Sequence, residues 1–514
     1  MSDRNLLIKI VVTSIFFIFV FLLLFSSAMH HGFSQDESQF VSSGVLLERK
    51  LLLPYKDYPY FHMPNLIFIY AVLFKFSDYI LLIARIYSTL CSFGCIIIIF
   101  YITYFLFLKH NTLIRSIICM CSVILIIMNP LFIYTTGYAI NHDPSVFFAL
   151  LAFLIHCHVL RDEKGEKWLL ASGISLGLAT GIRLSFALCI IPFLISILLF
   201  RRSRERKNIL LVTYFIGGHL LALLPSLILF MYRPLHFMFG NLYFRKLDSL
   251  HYQSIGYGRM TIIDKFKHLI SDVIFEPATF ALVVVFMFCV VGPYIWALKK
   301  QTSTRFEVSF ILILLPFLLL GSIVPTPTVY QYYYALVPFV FLGILYKVSS
   351  SYNRDVKFKI IVGGFVFFTV LSCIFGIPRY KHIQNLSRIN EWYPIKVHRF
   401  GVTMADIVGE GKVLTFLPIF VLEGGLEIYE EFATGKFAYR AARFLNQRNR
   451  KKFRMISVDD LYDFLKERPP KGVLLSFGRE KFERRLESSL ENYAEDKNHV
   501  LFKLDGRRLW IFSE

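Results

Sequence analysis

The residues LLIKIVVTSIFFIFVFLLLFSSA, at positions 6–28, decide the fold class of this chain. A helix needs about 20 mostly apolar residues to cross the hydrocarbon core of a bilayer, and this run is long enough. Arg4 and Lys9 lie near its beginning, which favours a cytoplasmic N-terminus. Ser26 and Ala28 resemble the small residues of a signal-peptide cleavage site. The run is long for a signal peptide, however, and is therefore predicted to be a spanning helix.

The composition of the whole chain also indicates a membrane protein. Of the 514 residues, 56% are hydrophobic and 17% are aromatic, and the mean hydropathy is +0.56. These values exclude an ordinary soluble protein. The formal net charge of +20 is divided between short loops and the C-terminal region, so no nucleic-acid partner is predicted. All eight cysteines lie in apolar stretches, and neither a disulfide framework nor a zinc site is predicted.

Ten further apolar runs follow the first, which predicts an α-helical polytopic membrane protein with about eleven spanning helices. These runs are Ile80–Leu108, Ser116–Tyr134, Pro144–Leu160, Trp168–Gly181, Leu184–Phe200, Ile209–Met231, Ala278–Leu298, Phe306–Val324, Tyr332–Tyr346 and Phe358–Ile377. The connections rich in Lys and Arg are 109–115, 161–167, 201–208, 299–305 and 347–357. The alternate connections 135–143 and 325–331 contain neither residue. Because basic loops stay in the cytoplasm, this alternation places residues 29–79, 232–277 and 378–514 outside.

The predicted division is a transmembrane domain at 1–377 and an extracytoplasmic domain at 378–514. Within the first outer loop (29–79), which is predicted to carry juxtamembrane helices, Pro64–Phe76 is apolar but too short to span, and we predict an interfacial or re-entrant segment. The C-terminal region alternates strand-like and helical stretches, which predicts a small α/β domain. The strand-like runs are Lys412–Phe420, Gly472–Phe477, Val500–Leu504 and Leu509–Phe512, and the helical ones are Val458–Glu467 and Glu480–Tyr493.

Two carboxylates follow the first span, in the sequence Ser34-Gln35-Asp36-Glu37. Ser34 and Glu37 fit a capping box at the start of a helix, which is a structural explanation for Glu37. Asp36 would then lie in the first helical turn, where the helix dipole favours its ionised form. An ionised carboxylate at the membrane surface can accept a proton from a hydroxyl or orient it. Asp36 and Glu37 are therefore candidate catalytic residues, with capping or a solvated loop as the alternatives.

Other candidates lie in the predicted outer loops. Lys56, Asp57 and His62 precede the interfacial segment among aromatic residues, and Lys56 and His62 would suit an anionic headgroup such as a phosphate. Asp143 precedes Pro144 and is either an ordinary helix N-cap or a functional carboxylate. Arg183 interrupts an apolar stretch at a predicted outer turn, where it is either functional or snorkels to the membrane surface.

The third outer loop and the tenth run add weaker candidates. The loop contributes a basic and aromatic mixture suited to a lipid phosphate or a sugar, which is Arg233, Arg245, Lys246, His251, Tyr252, Tyr257, Arg259 and Glu276. Tyr330 and Gln331 begin the sequence YQYYY at positions 330–334, which is typical of an interfacial aromatic belt and could also contact a sugar or a phosphate. The sequence contains no phosphate-binding Walker loop, dinucleotide fingerprint or serine-hydrolase elbow, so soluble-cofactor chemistry is not indicated.

This layout resembles the GT-C superfamily of membrane glycosyltransferases, especially the branch of the protein O-mannosyltransferases and the bacterial lipid A aminoarabinose transferase. The resemblance covers about residues 6–377 in organisation and rests on Asp36-Glu37, Tyr55-Lys56-Asp57, His62-x-Pro64 and Asp143. It implies a polyprenyl-phosphate-linked sugar donor and transfer of a hexosyl or pentosyl group to a hydroxyl. The acceptor would be a lipid, a glycan or a protein on the outer face of the cytoplasmic membrane.

The resemblance also implies roles for individual residues. Asp36 would orient or deprotonate the acceptor hydroxyl for an inverting displacement, Lys56 and His62 would hold the leaving phosphate, and Asp143 would support the site. The family's paired prolines are reduced to Pro64-Asn65, and the second outer loop has only one carboxylate. These departures leave the donor and the metal dependence open. No cofactor is firmly predicted, and Asp36 and Asp143 would be the ligands if a divalent metal were used.

Two alternatives to a transferase remain. A transporter or flippase of lipid-linked sugars would also need many helices and a polar cavity, but transporters usually place ionisable residues near the membrane midplane. A cell-envelope assembly scaffold would leave the loop carboxylates without a chemical role. The candidates here cluster in outer loops, which favours the transferase.

Overall fold

A computed structural model describes residues 3–162, 165–200, 205–300, 304–350, 355–475 and 481–512. Four of the predicted basic connections fall partly outside the described residues. The helices that precede the C-terminal region are α1 (Asp3–His30), α2 (Gln35–Lys50), α3 (Asn65–Phe74), α4 (Ile80–Leu106), α5 (Thr112–Ile127), α6 (Pro130–Thr135), α7 (His142–Asp162), α8 (Trp168–Ile182), α9 (Ile190–Phe200), α10 (Glu205–Ala222), α11 (Leu224–Tyr232), α12 (Pro234–Met238), α13 (Phe244–Tyr252), α14 (Ile262–His268), α15 (Pro277–Phe286), α16 (Gly292–Lys299), α17 (Phe306–Ile323), α18 (Leu336–Ser350) and α19 (Asp355–Gly376).

The membrane helices confirm the polytopic architecture but not the number eleven. Among the described residues, seven helical segments are long and apolar enough to cross a membrane, and α10 with α11 makes an eighth if this pair, bent by 61°, is one broken span. All eleven predicted runs lie on helical structure. Three of them fall on shorter helices, which are α5, α8 and the segment Leu184–Phe200. Length alone therefore does not decide whether those three cross the bilayer.

The segment predicted to be interfacial is the short helix α3. Its ten residues, Asn65–Phe74, rise about 15 Å, which is half the thickness of a hydrocarbon core. It packs against α2, where a Cβ at Gly44 would come within 2.8 Å of both the Tyr70 Cβ and the Phe74 ring. Glycine at position 44 therefore allows α2 and α3 to approach closely.

The C-terminal region contains the predicted combination of strands and helices. Its helices are α20 (Tyr393–Val408), α21 (Pro418–Glu423), α22 (Lys436–Ala442), α23 (Gln447–Lys452), α24 (Val458–Glu467) and α25 (Lys481–Glu495), and its strands are β1 (Lys412–Thr415), β2 (Glu427–Ile428), β3 (Gly472–Leu475), β4 (His499–Leu504) and β5 (Arg507–Phe512). The five strands form one mixed sheet in the order β2-β1-β3-β5-β4. β1 pairs in parallel with β2 and β3, whereas β5 is antiparallel to β3 and β4.

One predicted strand was partly wrong. The run Lys412–Phe420 is a strand only as far as Thr415, and α21 begins at Pro418. Proline fits the first turn of a helix, because its fixed φ suits the helix and its missing N–H has no intrahelical partner there. The strand β2 was not predicted, because two residues are too few to show an alternating pattern.

The C-terminal region packs directly on the segment that follows the first span. An apolar core joins α2, α3 and the start of α4 to α20, α21 and the sheet. Polar contacts reinforce this packing: the Leu81 N–H donates to the buried Glu423 carboxylate at 2.7 Å, and the Arg49 guanidinium donates to the Leu422 carbonyl at 2.9 Å. The C-terminal end of α2 and the beginning of α4 are therefore held against the C-terminal region by both apolar and polar contacts.

Candidate active site

A cavity of about 860 Å³ lies where the predicted outer segments meet. Its wall combines residues from the first loop, the second loop, the third loop, the turn after α8, the turn after α17 and the C-terminal region. The polar members of this wall are Asp36, Gln39, His62, Asn141, His142, Arg183, Ser185, Asn241, Arg245, Lys246, Asp248, Ser249, Gln253, Arg259, Thr326 and Tyr332. Segments far apart in the sequence thus form one polar enclosure.

Asp36 lies in the first turn of α2 and lines this cavity. Gln39 Nε2 is 3.4 Å from Asp36 Oδ1, one turn further along the helix. Burial raises the pKa of the Asp36 carboxyl above its usual range, and the positive charges of Arg245 and Arg440 act in the opposite direction. A carboxylate with a raised pKa is a stronger base than an ordinary aspartate once it is ionised.

The neighbouring Glu37 has a different environment. Arg85 donates to both of its carboxylate oxygens, with Nε–Oε1 at 2.8 Å and Nη2–Oε2 at 2.7 Å, and both side chains are fully buried. The Ala139 N–H adds a hydrogen bond to Oε1 at 2.8 Å, and the predicted capping box with Ser34 is present. Glu37 does not line the cavity. Its contacts favour the structural alternative over the catalytic one.

The ion pair also fixes the chain on both sides of Asp36. Besides Glu37, Arg85 donates to the carbonyls of Ala28, His31 and Gly32 at 2.7–2.9 Å. These carbonyls belong to the end of α1 and the turn that leads into α2. Arg85 therefore joins α4 to the α1–α2 turn and positions the first turn of α2, which carries Asp36.

A group of hydrogen-bond donors lines the same cavity. The Arg183 Nη1 lies 2.7 Å from His142 Nδ1, and its guanidinium lies 5.0 Å from the centre of the Tyr332 ring. Arg245 donates to the Tyr332 hydroxyl at 3.2 Å. Because a guanidinium only donates, His142 Nδ1 must accept, and the ring hydrogen of this neutral tautomer is on Nε2. We call Arg183, Arg245, His142 and Tyr332 the donor cluster.

His62 lines the cavity, as expected from its position before Pro64. Its ring packs 4.9 Å from the ring of Phe40. Burial lowers the pKa of His62 well below its usual range, and the charges of Arg245 and Arg183 lower it further. His62 is therefore neutral and can donate or accept one hydrogen bond, whereas the positive charge for an anion comes from the arginines.

The segment that carries His62 is held against the third loop. The Tyr55 hydroxyl donates to the His62 carbonyl and accepts from Asn241 Nδ2 at 3.0 Å. A Cβ at Gly240 would lie 2.1 Å from the Tyr60 carbonyl oxygen, so only glycine permits this close approach. These contacts align the first and third loops along the cavity.

Several predicted site residues lie elsewhere. Lys56 is directed to the Tyr232 ring, with its Nζ 5.8 Å from the ring centre. The carboxylate of Asp57 accepts from the Leu53 N–H at 2.8 Å within a turn. Asp143 is buried, accepts from the Gly137 N–H at 2.8 Å and is the second residue of α7 rather than its N-cap. None of these three lines the cavity.

Of the remaining predicted site residues, Arg259 lines the cavity, whereas Tyr330 and Gln331 do not. Arg259 lines the cavity from an exposed position. Tyr330 packs edge-on against Tyr134, with ring centres 5.3 Å apart, and neither it nor Gln331 lines the cavity. Tyr332, two residues later in the 3₁₀ helix Tyr330–Ala335, is the aromatic residue that reaches the site. The belt motif was recognised in the sequence, but its cavity-lining member was not.

The C-terminal region contributes residues that the sequence did not indicate. Arg440 on α22 forms an ion pair with Asp248 on α13 at 2.5 Å, and both side chains are buried. Asp248 and Phe437 line the cavity. Helix α13 also carries Arg245, so this ion pair holds an element of the donor cluster against the C-terminal region.

No group of three or more His, Cys, Asp or Glu side chains within the described residues could hold a metal ion. Of the two carboxylates named as conditional metal ligands, Asp36 lines the cavity and Asp143 does not.

Comparisons with known proteins agree with this architecture. The model of the dolichyl-phosphate-mannose-protein mannosyltransferase family matches residues 62–230. No curated protein matches the chain in sequence. Among solved structures, apo ArnT from Cupriavidus metallidurans is 10% identical with a TM-score of 0.61, and the match covers 99% of this chain and 98% of that one.

ArnT bound to undecaprenyl phosphate is 12% identical with a TM-score of 0.54, and the match covers 97% of both chains. The Archaeoglobus fulgidus oligosaccharyltransferase in complex with zinc and sulfate is 12% identical with a TM-score of 0.51, and the match covers 89% of this chain and 67% of that one. The chain therefore has the fold of ArnT and of the archaeal oligosaccharyltransferase, and the match to the mannosyltransferase family model over residues 62–230 agrees with the predicted resemblance.

Proposed function

We propose that this protein transfers a monosaccharide from a polyprenyl-phosphate-linked donor to a hydroxyl group of a lipid, glycan or protein. The observation that carries the proposal is that Asp36 and the donor cluster line one cavity. A base for the acceptor and a group of donors for a phosphate are the two elements that such a displacement requires. One of the compared structures contains undecaprenyl phosphate, and an archaeal oligosaccharyltransferase, AglB, contains a dolichol-phosphate.

The proposed reaction is a single displacement. The Asp36 carboxylate accepts the proton of the acceptor hydroxyl while the hydroxyl oxygen forms a bond to the anomeric carbon of the sugar. The bond between that carbon and the phosphate oxygen breaks, and its electron pair leaves with the lipid phosphate. Attack opposite the leaving group inverts the anomeric configuration. A cavity of about 860 Å³ is within the range of sites that enclose small ligands, of roughly 300–1,000 Å³.

The donor cluster would stabilise the leaving phosphate. Arg183 and Arg245 supply charge-assisted hydrogen bonds, and the Nε2–H of His142 supplies a neutral one. The negative charge on the leaving phosphate increases during bond cleavage, so these donors stabilise the transition state more than the ground state. We place the site on the outer face of the cytoplasmic membrane with the N-terminus in the cytoplasm, in accordance with the loop charges.

Replacement of Arg245 by glutamine is expected to weaken binding of undecaprenyl phosphate by about 10- to 100-fold, because a charge-assisted hydrogen bond is lost in a buried site. The affinity can be measured with the purified protein in detergent. Arg233→Gln is the matched control, since Arg233 belongs to the same predicted outer loop but is exposed and does not line the cavity. Equal affinities of the two variants would contradict the role of the donor cluster.

Turnover is expected to decrease as the pH falls, because protonation of Asp36 removes the base. Burial raises the pKa of Asp36, so this decrease begins at a higher pH than for an ordinary aspartate. Arg245 lowers the pKa of Asp36, so Arg245→Gln should move the decrease to a still higher pH. The measurement is kcat at saturating donor as a function of pH. An acid limb that stays in place, or moves to lower pH, would exclude Asp36 as the titrating base.

The acceptor and the sugar can be identified in cells that contain or lack the protein. Mass spectrometry of surface glycans and lipids should show one monosaccharide that disappears when the protein is absent. Unchanged glycans and lipids under conditions where the protein is produced would contradict the proposed transfer.

A further inference from the structure

A second cavity, of about 590 Å³, lies between helix α20 and the C-terminal hairpin β4–β5. The two cavities share no lining residue. Three cations and a single carboxylate line the second one, and these are Lys396, Arg399, Arg507 and Asp505. The excess of positive charge makes this cavity a candidate site for an anion.

Arg507 is held in place at this cavity. Its guanidinium lies 4.3 Å from the centre of the Phe420 ring and 5.2 Å from that of Phe400. Its Nε is buried and has no hydrogen-bond partner among the described residues. The side chain of Arg507 also forms a hydrogen bond with Tyr393, which lines the same cavity. A guanidinium fixed by aromatic rings suits a phosphate, because its planar set of donors matches the phosphate oxygens.

Lys396 and Arg399 supply the outer part of the charge. Both are exposed residues on α20, and Arg399 donates to the side-chain oxygen of Asn390, which also lines the cavity. The cations of α20 and β5 thus surround one space from two elements. Such a space can enclose a headgroup from two sides.

The position of α20 relates this cavity to the membrane surface. Trp392, which precedes α20, packs edge-on against Phe25 near the end of the spanning helix α1, with ring centres 5.2 Å apart. Tryptophan is typical of the boundary between lipid and water. The α20 residues that line the cavity extend from Tyr393 to Thr403, which is about 15 Å along a helix. The cavity is therefore within reach of lipid headgroups.

We propose that this second cavity binds the phosphate headgroup of an anionic membrane lipid, with Arg507 as the donor fixed by aromatic rings and Lys396 and Arg399 as the outer cations. The lipid would connect the C-terminal region to the membrane at a point separate from the main cavity. This proposal does not depend on the proposed transferase activity, because the second cavity shares no lining residue with the main cavity.

The test is native mass spectrometry of the full-length protein in detergent with added phosphatidylglycerol or phosphatidylcholine. The wild type should retain phosphatidylglycerol and not phosphatidylcholine, and millimolar inorganic phosphate should not displace the retained lipid. Arg507→Gln and Arg399→Gln should each reduce retention by about tenfold, as expected for loss of one charge-assisted hydrogen bond. Lys503→Gln is the control, because Lys503 is exposed on β4 and does not line the cavity.

Arg507 packs on two aromatic rings, so its substitution could also disturb the fold. The exposed Arg399 avoids this difficulty, and thermal unfolding of each variant shows whether the fold is retained. Equal retention by Arg399→Gln and Lys503→Gln would overturn the proposal. Equal retention of phosphatidylcholine, or displacement by inorganic phosphate, would overturn it as well.

Discussion

Replacement of Asp36 by asparagine is expected to reduce transfer by about 10²- to 10⁴-fold, the usual contribution of a positioned general base. Asparagine has the same shape but cannot accept the proton of the acceptor hydroxyl at neutral pH. The variant should still bind undecaprenyl phosphate, because the donor cluster is unchanged. The measurements are turnover of a polyprenyl-phosphate sugar and affinity for the lipid phosphate, both with purified protein.

The matched control for this variant is Asp78→Asn. Asp78 belongs to the same predicted outer loop but is exposed and does not line the cavity. Its substitution removes one negative charge from the same side of the protein and should leave turnover within about twofold, as surface changes usually do. Turnover of Asp36→Asn equal to that of this control would exclude Asp36 as the base.

Replacement of Arg85 by methionine is expected to destabilise the protein strongly. It would leave the buried Glu37 carboxylate without its partner and would remove the donor to three backbone carbonyls. Breaking a buried ion pair from one side costs about 3–5 kcal/mol. Turnover should fall as well, since the first turn of α2 carries Asp36. Denaturation midpoints in detergent and turnover are the measurements.

The double variant Arg85→Met with Glu37→Gln separates the charge effect from the packing effect. Removal of both charges avoids an unpaired buried carboxylate, so the double variant should be more stable than Arg85→Met alone. If Arg85→Met retains the wild-type midpoint, or if the second substitution destabilises it further, the positioning role of this ion pair is wrong.

The membrane helices were predictable because lipid imposes a simple rule on their sequence. Every predicted apolar run lies on helical structure. Helix α3 lies within the 13-residue segment Pro64–Phe76, which was predicted to be too short to span. The number of spans was less predictable. α5, α8 and Leu184–Phe200 are apolar but short, and hydropathy does not distinguish a short span from a helix that enters the membrane without crossing it.

A site residue could be predicted only where a local sequence signal marks a residue that the fold also brings to the cavity. Asp36, His62 and Arg183 were chosen as polar residues at boundaries of apolar runs, and all three line the cavity. Asp143 had the same kind of local signal, but its carboxylate accepts from Gly137 in its own loop. Glu37 was ambiguous in sequence because its partner, Arg85, is 48 residues away.

Arg245 shows why the remainder could not be predicted. It was one of eight candidates chosen from the basic, acidic and aromatic residues of the third outer loop, and nothing in its neighbours distinguished it from Arg233. The contact with Tyr332 spans 87 positions, and the Arg440–Asp248 pair that holds α13 spans 192. Contacts at such separations depend on how the loops fold over one another, which residue spacing does not encode.

The most direct test of the central claim is the fate of the donor. Purified wild-type protein is incubated with polyprenyl-phosphate sugars and a membrane extract that supplies acceptors, and free polyprenyl phosphate and glycosylated product are quantified by mass spectrometry. Our account predicts one polyprenyl phosphate released for each sugar transferred, with an inverted anomeric linkage in the product. Intact donor after incubation with every sugar offered, or release of lipid phosphate without any glycosylated product, would contradict it.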